Sequence, residues 1–188
     1  VASVISVTNS LVVGSILKYG TPAQKQRWLT AIARGDLLTS ACLTEPGGGT
    51  DLGNMATTAK RVGGGWRLTG SKVVISHAAH AGLFFVVASI DRSQKHQGVT
   101  AFLVDPKATD GITIGEFPMR TLQRDNLAEV HFQDALVPDE ALLGQPGVWR
   151  VLADLLLLGL FGGFFIVPLY ALVQLRSTPG KRARIIAA

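Results

Sequence analysis

The chain has 188 residues, enough for one well-buried domain and part of a second. It carries 18 Lys and Arg against 13 Asp and Glu, but the cations are not interleaved with aromatic residues, which excludes a typical nucleic-acid-binding face. The single cysteine, Cys42, excludes an internal disulfide, and its strand-like surroundings favour a small buried side chain over a nucleophile.

The first part of the chain predicts two helices. Apolar residues at mixed spacing over 3–18 favour a largely buried helix. Thr21, Pro22 and Gln24 mark the start of a second helix, because they supply an N-cap, a proline at the first helical position and a capping box. Gly35 ends this helix. Its predicted apolar face consists of Trp28, Leu29, Ile32 and Ala33.

From Leu37 onward the pattern changes to short apolar segments separated by glycine or polar turns. No helical pattern intervenes, so the sequence predicts an α+β chain whose middle part is an antiparallel β-barrel or sandwich rather than a βαβ sheet. Residues 63–65 predict a hairpin, residues 70–71 a second turn or a bulge, and residues 134–147 an exit linker. The predicted strands are 38–44, 55–62, 66–75, 84–90, 99–104, 112–117 and 127–133.

A glycine-rich loop follows the first predicted strand, in the stretch Cys42-Leu43-Thr44-Glu45-Pro46-Gly47-Gly48-Gly49-Thr50-Asp51. Glycine has no Cβ and tolerates positive φ, so backbone N–H groups in such a loop can approach an anion or a ring edge. Thr44 and Thr50 add a hydroxyl at each end. The loop alone is equally consistent with a ligand site and with a simple hairpin turn, since glycine is common in turns.

The order of residues in this loop resembles the signature of the acyl-CoA dehydrogenases: Thr-Glu-Pro, two small residues, Gly, Ser or Thr, and Asp. The resemblance implies a central β-domain between two helical domains, with FAD across its face, in an oligomeric oxidoreductase that dehydrogenates acyl-CoA thioesters in fatty acid metabolism. It covers about residues 1–153 and includes 65–72, 75–76, 98–104, 128–132, 137–138 and 142–144.

The same resemblance assigns roles in binding FAD to six residues. Thr44 would hydrogen-bond the pyrimidine side of the flavin ring, with a backbone contact from Leu43. Gly49 and Thr50 would meet the pyrophosphate, and Ser76 would lie near flavin N5, the atom that accepts hydride. The six candidate cofactor residues are Leu43, Thr44, Gly49, Thr50, Val74 and Ser76.

The sequence departs from the family pattern in four places. Thr50 stands where serine is usual and keeps the hydroxyl, and His77 stands where asparagine is usual. Val74 occupies a position that generally carries an aromatic residue shielding the flavin, so up to about 0.5–1.5 kcal/mol of ring contact would be lost. Residues 123–126 read Gln-Arg-Asp-Asn in place of the more common Leu-Arg-Gly-Ser.

No catalytic residue and no metal ligand is assigned to this chain. In the family, a carboxylate of the C-terminal helical domain removes the α-proton, whereas here Asp154 is the only acidic residue after position 140. Glu45 and Asp51 belong to the loop, and we expect them to hold its turns by hydrogen bonds. His77 and His80 have a metal-like spacing without a nearby Cys, Asp or Glu partner. We therefore expect a dehydrogenase fragment that is inactive alone.

The last part of the chain is strongly apolar. Residues 155–175 contain no charge and as a helix would extend about 32 Å, enough to cross a bilayer core. The region resembles a membrane helix and cytoplasmic loop of a major-facilitator permease of the lysophospholipid-transporter type. The basic residues that follow would place the C-terminus in the cytoplasm, or would form a solvated tail with no lipid role. They are Arg176, Lys181, Arg182 and Arg184.

These features divide the chain into three predicted parts: 1–35 as a remnant of an N-terminal helical domain, 36–148 as the β-domain, and 149–188 as the apolar helix with its basic tail. The sequence opens at Val1 without a secretory signal, so we expect a cytoplasmic protein recorded as a fragment, with a membrane contact through 155–175. The alternative is a membrane-anchored binding or transport-associated protein that carries no flavin.

Overall fold

A computed structural model describes residues 11–116 and 127–144, which form helices and a curled mixed β-sheet. These residues belong to the first of two units of the chain, Val1–Val151. The second unit, Leu152–Ala188, lies outside the described residues, and with it the predicted membrane segment. Within 11–116 and 127–144, no helix is long and apolar enough to cross a membrane.

The helices precede the sheet. Helix α1 is Gly14–Tyr19, and helix α2 runs through three consecutive segments, Pro22–Gln24, Lys25–Leu29 and Thr30–Arg34, of which the second has π-helical hydrogen bonding. The predicted capping box is confirmed, because Thr21 Oγ1 accepts from Gln24 N and the Gln24 side chain accepts from Thr21 N. The predicted stop is also confirmed, since Gly35 has φ 78°.

Each of the seven predicted strands is present in the described part of the chain. They lie in one sheet in the order β1-β4-β2-β3-β7-β6, with β5 paired to β4. The strands are β1 Thr39–Cys42, β2 Thr58–Val62, β3 Gly65–Ser76, β4 Leu83–Ser89, β5 Val99–Val104, β6 Ile112–Glu116 and β7 Leu127–Pro138.

The prediction of a purely antiparallel barrel or sandwich is wrong in one respect, because the sheet is mixed. Strand β1 runs parallel to β4, and β2 meets β4 through a parallel pair, Thr58 with Ser89. The β2–β3 hairpin lies between β1 and β4 in the chain, so the connection is long enough to bring β4 back in the same direction as β1.

The glycine positions of the hairpin and of β3 have distinct structural roles. The predicted hairpin at 63–65 is confirmed, with Gly63 and Gly64 as its connection because Gly65 already pairs with Val62, and Gly64 has φ 84°. Of the two alternatives at 70–71, a turn is excluded because β3 continues through these residues, and the pairing with β7 shifts register between Leu68 and Gly70, with the extra residue on β7. A second shift occurs between Lys72 and Ile75.

The predicted exit linker begins too early in the sequence. Strand β7 continues to Pro138 and is followed by a 3₁₀ turn, Asp139–Ala141. The alternation that defines a strand persists after Asp134, since Ala135 and Val137 are buried whereas Leu136 is exposed. Asp134 has φ 51° and interrupts the strand locally. Aspartate is common in turns, so the sequence favours the start of a linker at this residue.

The core is built by β3, β4, β5 and β7. Strands β4 and β5 are buried along their whole length, and β3 and β7 alternate between buried and exposed positions. Cys42 is completely buried in this core, and burial raises the pKa of its thiol to about 12. This confirms the prediction of a small buried side chain without nucleophilic character.

Helix α2 is tied to the end of the sheet by one side chain. Gln24 is buried, and its Nε2 donates to the carbonyl oxygens of Glu140 and Leu142 at 2.8 Å each. The Gln24 side chain thus caps its own helix and also fixes the segment after β7. The capping box predicted from the sequence therefore has a second role between distant parts of the chain.

Candidate functional site

A cavity of about 280 Å³ lies where the glycine-rich loop meets β1 and β3. This volume is close to the lower end of the range of about 300–1,000 Å³ that is usual for ligand pockets, so the cavity suits one ring system rather than a whole dinucleotide. Its wall is largely apolar, with hydroxyl-bearing side chains at Thr44 and Ser76. The lining residues are Leu11, Ala41, Leu43, Thr44, Gly49, Leu52, Val74, Ile75 and Ser76.

Five of the six predicted site residues line this cavity: Leu43, Thr44, Gly49, Val74 and Ser76. The sixth, Thr50, is exposed and follows Gly49 directly without being part of the wall. The remaining lining residues were not predicted from the sequence. They are apolar side chains that no local motif distinguishes from ordinary core positions, and only the packing of distant segments brings them together.

The loop turns tightly at Pro46 and Gly47. Glu45 N donates to Gly48 O at 3.0 Å, and Gly48 N donates to Glu45 O at 3.1 Å. A Cβ at Gly47 would have no neighbour within 4 Å, so lack of space does not require glycine there. A Cβ at Gly49 would lie 3.2 Å from Thr44 Cγ2, so the backbone of Gly49 packs closely against the Thr44 side chain at the cavity.

Backbone hydrogen bonds hold the cavity walls together. Val73 N donates to the carbonyl oxygen of Thr44 at 2.9 Å, which joins the loop to β3. On the other side, Ser40 Oγ donates to the carbonyl oxygen of Ser76 at 2.7 Å, which joins β1 to the end of β3. Thr44 and Ser76 therefore face one cavity because the backbones that carry them are linked to neighbouring strands.

A buried ion pair lies directly beneath the loop. Lys72 is 0% exposed, and its Nζ lies 2.8 Å from Glu45 Oε1 and donates to the carbonyl oxygen of Leu43 at 3.1 Å. The Glu45 carboxylate also accepts from Ala56 N at 2.6 Å and from Thr57 N at 3.0 Å. The expectation that Glu45 holds the turns of the loop is confirmed, and Lys72 is its unpredicted partner.

The electrostatics of the pair favour an ionised carboxylate. Burial opposes the charge on Glu45, but the hydrogen bond and the charge of Lys72, with the donor from Ala56, outweigh it and lower the pKa of Glu45 below its ordinary 4.5. Burial also lowers the pKa of Lys72, and the Glu45 carboxylate opposes that shift. The ion pair is thus a source of pH-dependent stability.

We expect the contribution of Glu45 to stability to disappear in acid. Because its folded pKa lies below the unfolded value, the contribution is complete above about pH 4.5 and is lost as the pH falls through the folded pKa. Urea unfolding of wild type and Glu45→Gln should therefore show a large difference in free energy near about pH 7 that shrinks near about pH 3. The exposed Glu140→Gln is the control, and a Glu45→Gln difference that does not change with pH would contradict the account.

Val74 is held in a strained conformation at the cavity wall. It lies in the second irregularity of β3, has φ 60°, and is 40% exposed. A β-branched residue is rare in the left-handed region, and such a conformation costs on the order of 1–3 kcal/mol. Strain of this kind collects at ligand sites, where the surrounding structure enforces it.

Substituting Val74 with glycine should stabilise the folded chain. Relief of the strain outweighs the added backbone entropy of glycine, so Val74→Gly should raise the free energy of unfolding by about 1 kcal/mol. The neighbouring Val73 does not have positive φ, and Val73→Gly should lower the free energy by about 1 kcal/mol. Denaturant unfolding measures both, and equal destabilisation by the two substitutions would show that Val74 is unstrained.

Asp51 also behaves as predicted for the loop. Its Oδ1 accepts from Gly53 N at 3.1 Å and so caps a 3₁₀ turn, Leu52–Asn54, that immediately follows the loop. The same carboxylate oxygen lies 3.7 Å from His96 Nε2. Both acidic residues of the loop thus hold its ends, Glu45 upstream and Asp51 downstream.

Comparison with known proteins gives consistent matches to one family. The sequence matches the acyl-CoA dehydrogenase middle domain over residues 40–135 and the acyl-CoA dehydrogenase N-terminal domain over residues 1–36. The mitochondrial short-chain specific acyl-CoA dehydrogenase of Rattus norvegicus is 41% identical over 146 residues, which are 77% of this chain and 35% of the rat protein.

Solved structures agree with these sequence matches. An acyl-CoA dehydrogenase from Geobacillus kaustophilus is similar with a TM-score of 0.76 and 36% identity, over 81% of this chain and 41% of that one. A structure described as PigA with FAD and proline has a TM-score of 0.72 and 30% identity, over 77% and 38% of the two chains. The chain thus spans well under half the length of the proteins it matches.

Proposed function

Because the chain belongs to the acyl-CoA dehydrogenase family, we propose that residues 36–148 are the FAD-binding β-domain of such an enzyme, that 1–35 come from its N-terminal helical domain, and that 149–188 form a separate apolar and basic segment. Family homologues are FAD-dependent flavoproteins. The observation that carries the proposal is the convergence of Leu43, Thr44, Gly49, Val74 and Ser76 on one cavity. They come from two separate segments, the glycine-rich loop and the end of β3, which an incidental glycine turn would not bring together.

The residues present fit the flavin part of FAD. The cavity has the size for one ring system, an apolar wall, and two hydroxyl-bearing side chains, Thr44 and Ser76. Gly49 lines the cavity, and a Cβ there would crowd the Thr44 side chain. Because glycine has no Cβ, a ligand can approach the backbone at this position. Thr50 is exposed beside Gly49, where its hydroxyl and backbone N–H are available to a phosphate.

In this proposal each residue has a defined role. Thr44 would hydrogen-bond the polar edge of the ring with a backbone contact from Leu43, Val74 would contact its face, and Ser76 would donate to the atom that gains negative charge on reduction. Gly49 and Thr50 would hold the pyrophosphate. FAD, when bound, supplies the acceptor for the hydride that leaves the β-carbon of an acyl-CoA.

We further propose that the parent enzyme oxidises acyl-CoA thioesters to α,β-unsaturated products, and the name of the rat relative points to short acyl chains. Oligomeric or complex assembly is typical of the family. The α-proton requires a base, and among residues 11–116 and 127–144 no carboxylate lines the cavity. We therefore propose that this chain alone binds FAD without turning over substrate.

Titration with FAD tests the cofactor assignment. The purified chain should retain FAD through gel filtration and quench its fluorescence on titration. Gly49→Val should weaken FAD binding by at least about tenfold, because the added side chain would clash with Thr44 and fill the approach to the backbone. Gly47→Ala, in the same loop but with open space around its Cβ position, is the matched control and should bind FAD like wild type.

Failure of the wild-type chain to retain any flavin would contradict this assignment. A colourless chain found only in the detergent fraction would instead favour the membrane-anchored protein without flavin. Dye reduction by the FAD-loaded chain with an acyl-CoA would overturn the expectation that this chain is inactive alone.

For the region outside the described residues, we propose that 155–175 crosses a membrane and that the basic residues after it face the cytoplasm. The support is the charge-free run of 21 positions followed by four cations within nine residues, 176–184. The full chain should stay in the membrane pellet after alkaline extraction, whereas a chain truncated after residue 150 should not. Equal release of both chains would contradict the membrane assignment.

A further inference from the structure

The connection between β4 and β5 contacts the downstream end of the glycine-rich loop. This connection, Arg92–Gly98, carries His96, whose ring lies against the backbone of Gly53. A Cβ at Gly53 would fall 2.6 Å from His96 Cε1 and 2.7 Å from both ring nitrogens. The imidazole therefore packs on the peptide backbone at a position that only glycine leaves open.

Asp51 joins His96 to the loop a second time. Its Oδ1 accepts from Gly53 N and lies 3.7 Å from His96 Nε2, with both side chains largely exposed. Asp51 directly follows Thr50, the residue proposed to meet the pyrophosphate. Through Asp51, the His96 ring is in contact with the start of the Leu52–Asn54 turn and with the residue that follows Thr50.

The connection that carries His96 is closed on itself and fixed to the sheet. Asp91 accepts from Ser93 N at 2.9 Å, from Ser93 Oγ at 2.6 Å and from Gln94 Nε2 at 2.7 Å. Ile90 N donates to Gly98 O at 2.7 Å, and a Cβ at Gly98 would overlap the carbonyl oxygen of Asp91. Such a closed segment gives His96 a stable backbone from which to support the loop.

The loop needs such support because its middle is held by backbone hydrogen bonds between Glu45 and Gly48 and not by side chains of the described residues. Within the described part of the chain, no side chain forms a hydrogen bond to residues 46–50, and all five are exposed. Glu45 and Lys72 fix its upstream end, and Asp51, Gly53 and His96 fix its downstream end. A loop ordered before it meets a ligand loses less conformational entropy on binding, which tightens the complex.

We propose that His96 is a positioning residue for the FAD site: its ring holds the turn after Asp51 and so keeps Gly49 and Thr50 in place to receive the cofactor. This inference rests on the proposed function. His96 acts through Gly53 and Asp51 and does not line the cavity itself.

Three variants test the role of the ring. His96→Ala removes it, His96→Phe keeps a flat ring on Gly53 but removes the contact with Asp51, and His80→Ala removes another exposed histidine outside this contact. The measurements are the FAD dissociation constant, the melting temperature, and hydrogen exchange of the amides of residues 47–54 in the FAD-free chain.

His96→Ala should weaken FAD binding by about five- to tenfold and accelerate amide exchange over 47–54, with an unchanged melting temperature. His96→Phe should recover most of the affinity and protection, because packing on Gly53 is retained. His80→Ala should match wild type in all three measurements. A general loss of stability would lower the melting temperature, whereas loss of loop positioning lowers the affinity alone. Rescue by phenylalanine also indicates loop positioning.

Wild-type affinity or wild-type exchange in His96→Ala would overturn the inference. Failure of the proposed function looks different, because wild type and His80→Ala would then also fail to bind FAD. In that outcome the positioning role is wrong together with the proposed FAD site. If only the inference is wrong, wild type and His96→Ala both bind FAD and have equal affinity or equal amide exchange.

Discussion

The ion pair between Lys72 and Glu45 is the contact on which the site depends, because it joins the glycine-rich loop to the interior of the sheet. Transferring two charges from water into a protein costs several kcal/mol per ion, and only close contact with further hydrogen bonds offsets this. Here the ions are 2.8 Å apart, and the carboxylate also accepts from Ala56 N and Thr57 N. Separation of the loop from β3 would leave a buried charge without its partner.

This constraint places the cavity. Lys72 lies on β3 just before the irregularity that contains Val73 and Val74, and the same strand continues to Ser76. The Lys72 side chain holds Glu45 and the Leu43 carbonyl, and the Val73 amide holds the Thr44 carbonyl. Lys72 and Val73 thus anchor the loop, and the residues that follow them, Val74 to Ser76, form part of the cavity wall. The strain at Val74 is maintained by contacts on both sides of it.

Local signals in the sequence predicted a large part of the fold. The capping box at Thr21, the stop at Gly35 and the hairpin at 63–65 are short-range patterns whose chemistry acts within a few residues, and the structure confirms each of them. The loop residues of the candidate site were also identifiable from motif order. Non-local features could not be predicted in the same way, since strand direction between β1 and β4 depends on the path of the chain through the intervening hairpin.

Lys72 illustrates the other limit of sequence reasoning. A lysine in a strand is ordinarily interpreted as an exposed residue, but Lys72 lies on the same face of β3 as the buried Leu68. Its burial depends on Glu45, a partner that the local strand pattern does not reveal. The extension of β7 to Pro138 was missed because Asp134 interrupts the strand pattern, although the apolar alternation resumes directly after it. His96 carries no motif at all, and its contact with Gly53 follows from the closed connection that holds it.

The most direct test of the account is a double-mutant cycle on unfolding free energy at neutral pH, with Glu45→Gln, Lys72→Met and the combined variant. If the pair joins loop and sheet as described, the two substitutions are coupled by about 1–3 kcal/mol, and the double variant loses less stability than the sum of the single ones. Additivity within about 0.3 kcal/mol would contradict it.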